Sequence, residues 1–528
     1  MHHPLRTLVF AALVSALLSP QTFGQMPVPK SLDDLVKWVN QHNRAPFDRQ
    51  SAELPHGGAA ALMRNLSRAQ GAATIAAGSG HNVKVNQDRN PWPKAELAEA
   101  VDPVTGKDWV VMENDFRENW DHMFFHASTN GGLKWTDDSM VGGNDPFTGF
   151  IPLTFQSDPG VALDSKGRGM LSAITGNSIV DFTNEYQNFD TEIETTVSFN
   201  HGAYASLLPI TVDDQPCNGS FSVFTCAIQL DKPLITIDNV PGSPNNGAVY
   251  VYYTVFCVQE SPCTDGNATI PAFSSAIVES HATGVGLPFS TPELVSGRFT
   301  QEQFSHMVID SQGTPHIFFD DFTKPVLRMF ESTLMGGRWV VNSTPVAQFD
   351  FTGLGSLNWG FRSDGTIAPG CGIYQDTAYC AFSANQILGQ AAESSVSAYV
   401  AVVNTRTGDS QIHRVNNDPF NAGKDHFFPW ATAKADGSVY VGWYDDRNDP
   451  FDTKVQYFVG KSTDGGKTFP TQMPVSDVAF NPCVGFPGCG FFGDYTQLVS
   501  GPDGVVRAAW SDTRDGVSMQ VYSQAVTW

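Results

Sequence analysis

Phe458-Val-Gly-Lys-Ser-Thr-Asp-Gly-Gly-Lys-Thr-Phe469 is the stretch whose reading decides the fold. Inside it lies Ser-x-Asp-x-Gly-x-Thr-aromatic, carried by Ser462, Asp464, Gly466, Thr468 and Phe469. The pattern suits a tight β-hairpin, in which the Ser and Asp side chains bond turn amides, Gly takes a positive φ and the aromatic ring packs beneath. Ser128-Thr-Asn-Gly-Gly-Leu-Lys-Trp135 repeats it with Asn for Asp, and Ser332-Thr-Leu-Met-Gly-Gly-Arg-Trp339 is a worn copy.

Three such turns resemble the Asp-box (BNR) repeats of the sialidase-like β-propeller superfamily, and the resemblance covers roughly residues 82–528. It implies an all-β propeller of four-stranded blades. The motif marks an architecture and says little about a reaction, because its residues are turn formers.

Composition agrees with many short strands: of 528 residues, 16% are charged and 12% aromatic, with 48 Gly and 33 Pro. The net charge of −23, with no Lys/Arg cluster above that background, argues against nucleic acid as partner. Residues 1–25 read as a signal peptide, with Arg6, an apolar run from Leu8 to Leu18 and small residues before Gln25. That run is too short to span a bilayer, so a secreted or periplasmic location is expected. Residues 26–81 read as a leader or linker containing a short amphipathic helix at 31–41, N-capped by Ser31.

Eight cysteines fall in four close pairs, Cys217/Cys226, Cys257/Cys263, Cys371/Cys380 and Cys483/Cys489. In an exported chain this favours four local disulfides over metal ligation. No cofactor or metal is expected, and no EF-hand pattern occurs for Ca²⁺.

From residue 82 a unit recurs with starts roughly 60–75 residues apart: strand, Asp/Gly turn, a second strand rich in Val, Tyr and Trp, a variable loop, then a hairpin. The clearest first turns are at Asp102–Gly106, Asp164–Gly167, Asp310–Gly313, Ala435–Gly437 and Pro502–Gly504, with a longer one at Asp238–Gly247 and a reduced one at Gln375–Thr377. This gives seven blades by repeat count. Six, the usual number among sialidases, is the alternative, since the fifth unit is weak. Asn82–Asn86 is placed to complete the last blade and remove an open edge.

In such propellers the hairpin turns share one face, while second-to-third loops and blade connections share the other. The second face collects Asn114-Asp-Phe-Arg117, Tyr444-Asp-Asp-Arg447, Ser511-Asp-Thr-Arg514, Glu302, Asp425-His426 and Gly493-Asp-Tyr495. A sialidase-like mechanism requires an arginine cluster for a carboxylate, a Tyr nucleophile activated by Glu, and an Asp acid/base. The resemblance assigns Arg117, Arg447 and Arg514 to the cluster, with Asp446 and His426 also lining the substrate. Tyr495 would be the nucleophile, Glu302 its partner, Asp115 the acid/base, and Asp494 a neighbour of the nucleophile. The recurrence of Asp-x-Arg at matching places fits a repeated loop-capping salt bridge better than three substrate arginines. His306 and His426 fit satisfied pore residues as well as bases.

One departure from the superfamily pattern bears on the substrate. Sialidases carry Phe/Tyr-Arg-Ile-Pro near the propeller's start, and here the region reads Asn90-Pro-Trp-Pro-Lys-Ala-Glu96. The expected function is therefore an exported glycoside hydrolase acting on a glycan at the central pocket. The alternatives are a non-catalytic glycan- or protein-binding propeller and a polysaccharide lyase.

Overall fold

The computed structural model describes residues 82–527 apart from 118–120, 140–152, 181–186, 190, 200–203, 206–209, 216–226, 298–299, 325 and 351–356. The leader at 1–25, the helix at 31–41, the rest of the 26–81 segment and the Cys217/Cys226 pair lie outside the described residues.

Seven antiparallel sheets form the blades, not six, and an eighth sheet among the described residues is the small hairpin pairing Cys263–Asp265 with Ala268–Ile270. Blade 1 is Lys94–Val101, Trp109–Asp115, His122–Ser128 and Thr136–Ser139. The first strands of blades 2 to 6 are Leu153–Leu163, Ile228–Ile237, Glu302–Ile309, Gly370–Tyr374 and His426–Ala433. Each first strand touches the first strands of the neighbouring blades, and blade 7 touches blade 1, so the ring closes. Blade 7 contributes Leu498–Ser500, Val506–Asp512 and Gln520–Val526. Its fourth strand is Val83–Lys84, paired with Ser523 and Tyr522. The closure expected of Asn82–Asn86 is therefore present.

Why seven sheets stack this way is written in the second strands. Trp109-Val-Val-Met112 is apolar throughout because a blade is buried on both faces. Val110 and Met112 pack with Val161 and Leu171 of blade 2, whereas Trp109 and Val111 pack with Ala509 and Val521 of blade 7. A separate apolar cluster fills each of the seven joints.

The two clearest hairpin turns are built alike. Ser462 Oγ accepts from Gly466 N at 2.9 Å, and Asp464 Oδ1 accepts from Lys467 N and Thr468 N at 3.1 and 3.0 Å. Ser128 Oγ accepts from Gly132 N at 2.9 Å, and Asn130 Oδ1 from Leu133 N and Lys134 N at 3.1 and 3.0 Å. Gly132 has φ +93°, and a Cβ there would lie 2.7 Å from the Trp109 ring. Gly131 N also donates to Lys107 O in the first turn of the same blade, so both turns share a face.

Three disulfides join Cys257–Cys263, Cys371–Cys380 and Cys483–Cys489, as the spacing implies. Cys371 and Cys380 are direct cross-strand partners in blade 5. No helix among the described residues is long and apolar enough to cross a membrane.

Candidate active site

A bulge recurs near the start of the innermost strands. The cross-strand register slips at Ala95/Leu97, Ser157/Gly160, Asp231/Leu234, Gln303/Ser305 and Phe427/Trp430. Within it Glu96, Asp158, Lys232, Phe304 and Phe428 adopt φ between 50° and 56°. L-residues avoid this region, and each instance costs on the order of 1–3 kcal/mol unless its surroundings enforce it. Such bulges re-aim a side chain. In blades 1, 2 and 3 the re-aimed residues are charged, and they converge.

Lys232 Nζ lies 2.7 Å from Asp158 Oδ1, 2.7 Å from Asp494 Oδ2 and 3.4 Å from Glu96 Oε1. Arg362 reaches Asp494 Oδ2 at 2.5 Å, and Asn114 Nδ2 donates to Glu96 Oε2 at 2.6 Å. Gln303 Nε2 donates to Asp231 Oδ2 at 2.5 Å beside them. Glu96 is 3% exposed and Asp494 2%, while the Arg362 side chain, at 25%, is the open edge.

Their protonation follows from burial and neighbours. Burial, reinforced by Asp158 and Asp494 against Lys232, holds the Glu96 carboxyl well above the usual range, so it carries a proton. Burial also acts on Asp494, but Arg362 and Lys232 overcome it and hold its carboxyl below normal. Burial would discharge Lys232, yet Asp158 and Asp494 beside it keep it firmly charged. Asp231, buried near Asp158, is pushed up to about 7.

Arg362 arrives on a strap, residues 357–369, between blades 4 and 5. Asn358 anchors it, donating from its backbone N to Asp425 Oδ2 at 2.7 Å and from its amide to Asp446 Oδ2 at 3.1 Å. Arg362 N donates to Gly490 O, and Thr366 Oγ1 accepts from Phe428 N at 2.8 Å.

Of the residues singled out from sequence, Asp494 stands in this cluster. Tyr495 is beside it, with Lys232 Nζ 5.5 Å from its ring centre. Burial and Asp158 push its phenol well above normal, and the hydroxyl donates to Pro159 O at 3.2 Å. Tyr495 and Glu302 do not form the expected pair: neither Glu302 carboxylate oxygen has a hydrogen-bond partner among the described residues, and burial lifts that carboxyl to about 9.

The three arginines do not cluster either. Arg117, Arg447 and Arg514 each bind back to the aspartate two residues earlier, Asp115, Asp445 and Asp512, at 2.6 to 2.7 Å. Each backbone N also donates to that carboxylate at 2.8 Å. Each guanidinium covers the ring of Phe124, Phe458 or Tyr522 on the third strand. Blade 4 keeps the device with a substitute: Thr323 N donates to Asp321, and the cation is Arg328, lying over Phe330. These are loop clasps in blades 1, 4, 6 and 7, and Asp115 is the carboxylate of the first of them. His426 belongs to the clasp of blade 6, 3.2 Å from Asp418 and 3.4 Å from Asp445. Asp446 anchors the strap, and burial with Asp425 nearby raises its carboxyl to about 7.

Sequence reasoning gave no role to Glu96, Asp158, Lys232 or Arg362, although Asp158 and Lys232 stand at first-strand starts on the face it marked as the candidate site. The first three occupy one place in the repeat, a charged residue at the head of a first strand, and that register is the signal that finds them. Arg362 has no such signal, because its strap lies outside the repeat. Below the cluster the channel opens into a cavity of about 220 Å³ lined by Glu99, Tyr252, His306, Trp430 and Gln497 among others. There His306 accepts from Cys371 N at 2.6 Å, and burial drops its imidazole to about 3, leaving it neutral. No group of three or more His, Cys, Asp or Glu among the described residues could hold a metal ion.

No protein-family profile matches the sequence, and no curated protein matches it. Among solved structures, the Hadza microbial sialidase Hz136 matches at 11% identity, covering 86% of this chain and 94% of that one, with TM-score 0.41. The α-L-arabinofuranosidase of Fusarium graminearum matches at 10%, covering 84% and 97%, with TM-score 0.39. An ulvan lyase matches at 10%, covering 67% and 78%, with TM-score 0.35. Likeness at these scores adds nothing to what the seven sheets show. The chain is a seven-bladed β-propeller whose first three innermost strands bring Glu96, Asp158 and Lys232 together, joined by Asp494 from the segment that precedes Leu498–Ser500.

Proposed function

We propose that this chain is an exported glycoside hydrolase that acts on a neutral glycan at the axial cluster. The observation that carries the reading is the convergence of a protonated carboxyl, Glu96, with the carboxyl groups of Asp158 and Asp494 around one lysine. Glycoside cleavage needs a carboxylic acid to protonate the leaving oxygen and a carboxylate to attack or to activate water. Glu96 is the acid. Asp158, on Lys232 Nζ at 2.7 Å, takes the second role, and Asp494 shares the same lysine.

The spacing also gives a stereochemical expectation. Glu96 Oε1 and Asp158 Oδ1 both lie on Lys232 Nζ, at 3.4 and 2.7 Å, so they are no further apart than those two distances together. That total is below the about 6.5 Å at which inverting pairs begin, so retention of anomeric configuration is expected.

A carboxylated sugar suits the site poorly. Both cations of the cluster, Lys232 and Arg362, already hold carboxyl groups of the protein. This weighs against sialic acid and against a lyase, which would need a free cation to neutralise a uronate. Export is supported by the leader at 1–25 and by the three disulfides.

The test is hydrolysis of a panel of neutral and anionic aryl glycosides and natural glycans by the mature chain, with the anomer followed by proton NMR. Glu96→Gln should lower kcat at least about 100-fold, the ordinary worth of a general acid, while leaving the melting temperature close to the parent. Full activity of E96Q, or no glycan cleaved and none raising the melting temperature, would overturn the reading.

A further inference from the structure

The bulges set a second group of side chains one step nearer the loop face. The residue just before each slip keeps its cross-strand partner: Ala95 faces Asn114, Ser157 faces Ile174, Asp231 faces Thr254, Gln303 faces Asp320 and Phe427 faces Tyr444. Each first strand runs from the loop face toward its Asp/Gly turn, so Ser157 and Asp231 stand on the loop side of Asp158 and Lys232. In blades 2, 3 and 4 this outer set is polar, made of Ser157, Asp231 and Gln303.

Asp231 differs from the inner carboxyls in two respects. Glu96, Asp158 and Asp494 are 3%, 5% and 2% exposed, whereas Asp231 is half-buried. Those three lie within 3.4 Å of Lys232 Nζ, but no cation among the described residues forms an ion pair with Asp231. Its Oδ2 accepts from Gln303 Nε2 at 2.5 Å, while its Oδ1 has no partner among the described residues and is not sealed from solvent. The charged groups that face it are Asp158 from blade 2, Lys232 on its own strand and Asp494 from the segment before Leu498–Ser500; Thr254 and Gln303 add no charge. Burial and then Asp158, opposed by Lys232, push its carboxyl up to about 7, so above neutrality it is mostly ionised.

We propose that Asp231 selects the sugar at the cleaved bond, its Oδ1 accepting a hydrogen bond from a ring hydroxyl, so that the site requires that hydroxyl and rejects the sugar lacking it. The inference rests on the hydrolase reading above. An ionised carboxylate only accepts, a sugar hydroxyl donates, and a bond to a charged acceptor is shorter and roughly twice as strong as a neutral one. Gln303 holds the carboxyl in place before the ligand arrives, so little side-chain freedom remains to be lost on binding. The occupant follows from position: a sugar whose bond lies at Glu96 and Asp158 rests against the inner set, and Asp231 is the next group on the loop side. A site built to bond a hydroxyl discriminates strongly against the analogue without it, because its own polar group is then left unpaired.

The experiment gives the full mature chain and its Asp231→Asn variant the best aryl glycoside of the panel and each monodeoxy analogue of that sugar. The substitution keeps size and an oxygen to accept from Gln303, but sets an amide N–H₂ where Oδ1 was. Removing one hydroxyl should cost the parent about tenfold or more in kcat/KM, the worth of a bond to a charged acceptor. Asp231→Asn should raise KM for the complete sugar about tenfold or more, with the smaller share of the loss in kcat, and should treat that sugar and its deoxy analogue within about twofold of each other. In the parent, KM should also rise as the pH falls below about 7, and in Asp231→Asn it should not. If no single hydroxyl matters to the parent, or if Asp231→Asn keeps the parent's preference, the role of Asp231 is overturned; hydrolysis by the parent then leaves the hydrolase reading standing. A parent that neither cleaves nor binds any glycan overturns both.

Discussion

Gly365→Ala isolates the strap's hold on the axial cluster. Gly365 lies in the single turn Asp364–Ile367, and a Cβ there would stand 2.2 Å from Asp494 O and 2.6 Å from Asp494 Cα. Those are backbone atoms and cannot rotate away, so the strap or the Gly493–Tyr495 segment must move. Gly365 does not occupy the left-handed region, so the penalty is steric alone. Overpacking of this kind costs about 1–3 kcal/mol. Arg362, three residues earlier on the strap, is the partner of Asp494, so the shift should also loosen that ion pair and lower kcat. Gly284→Ala is the matched control. Its Cβ would meet only Leu287 Cδ1, at 3.5 Å, an ordinary contact. There the methyl narrows the unfolded chain's freedom and should be neutral or stabilising by up to about 1 kcal/mol. Urea denaturation of both variants, compared at equal m, gives the two signs. If Gly365→Ala is as stable and as active as the parent, the strap does not bear on Asp494 and the reasoning fails.

Stability should fall between pH 7 and pH 9. Burial raises Asp231 and Asp446 to about 7, Asp265 to about 8 and Glu302 to about 9, so the native state retains protons that an unfolded chain releases near pH 4. The unfolded state binds fewer protons throughout that window, which makes the slope negative. Melting temperatures across the range check this, and a rising curve would contradict it. Arg447→Ala should cost about 1.5–3 kcal/mol by stripping a charged partner from the buried Asp445, while KM stays within about twofold. A large rise in KM at constant stability would instead mark Arg447 as a substrate residue.

The fold was legible because its signals are local. Ser462–Phe469 and Ser128–Trp135 state a turn in eight residues each, and the seven Asp/Gly turns give the spacing. The second-strand Asp-x-Arg pairs were legible as clasps because they repeat at one register. The site was harder to read for the same reason inverted. Glu96, Asp158 and Lys232 share only their place at the head of a first strand and not one residue type, and it is the shared bulge that turns them toward one another. Glu302 looked equivalent to a catalytic partner for Tyr495, but it stands at the head of blade 4, where the bulged residue is Phe304. Arg362 comes from a strap that no period announces.

The joint between blades 7 and 1 is the one place where the ring is stitched by residues from opposite ends of the propeller. Val83–Lys84 supplies two residues of pairing, Asn86 bonds Gln520 at 2.7 Å, and Leu97 bridges Thr496. Glu96 lies on one side of this seam and Asp494 on the other. A ligand gripping both therefore acts as a rivet across the seam where the two ends of a closed hoop meet. Occupancy and hoop closure become one equilibrium: whatever frays the Val83–Lys84 edge drains ligand, and ligand slows amide exchange there, far from any atom it touches.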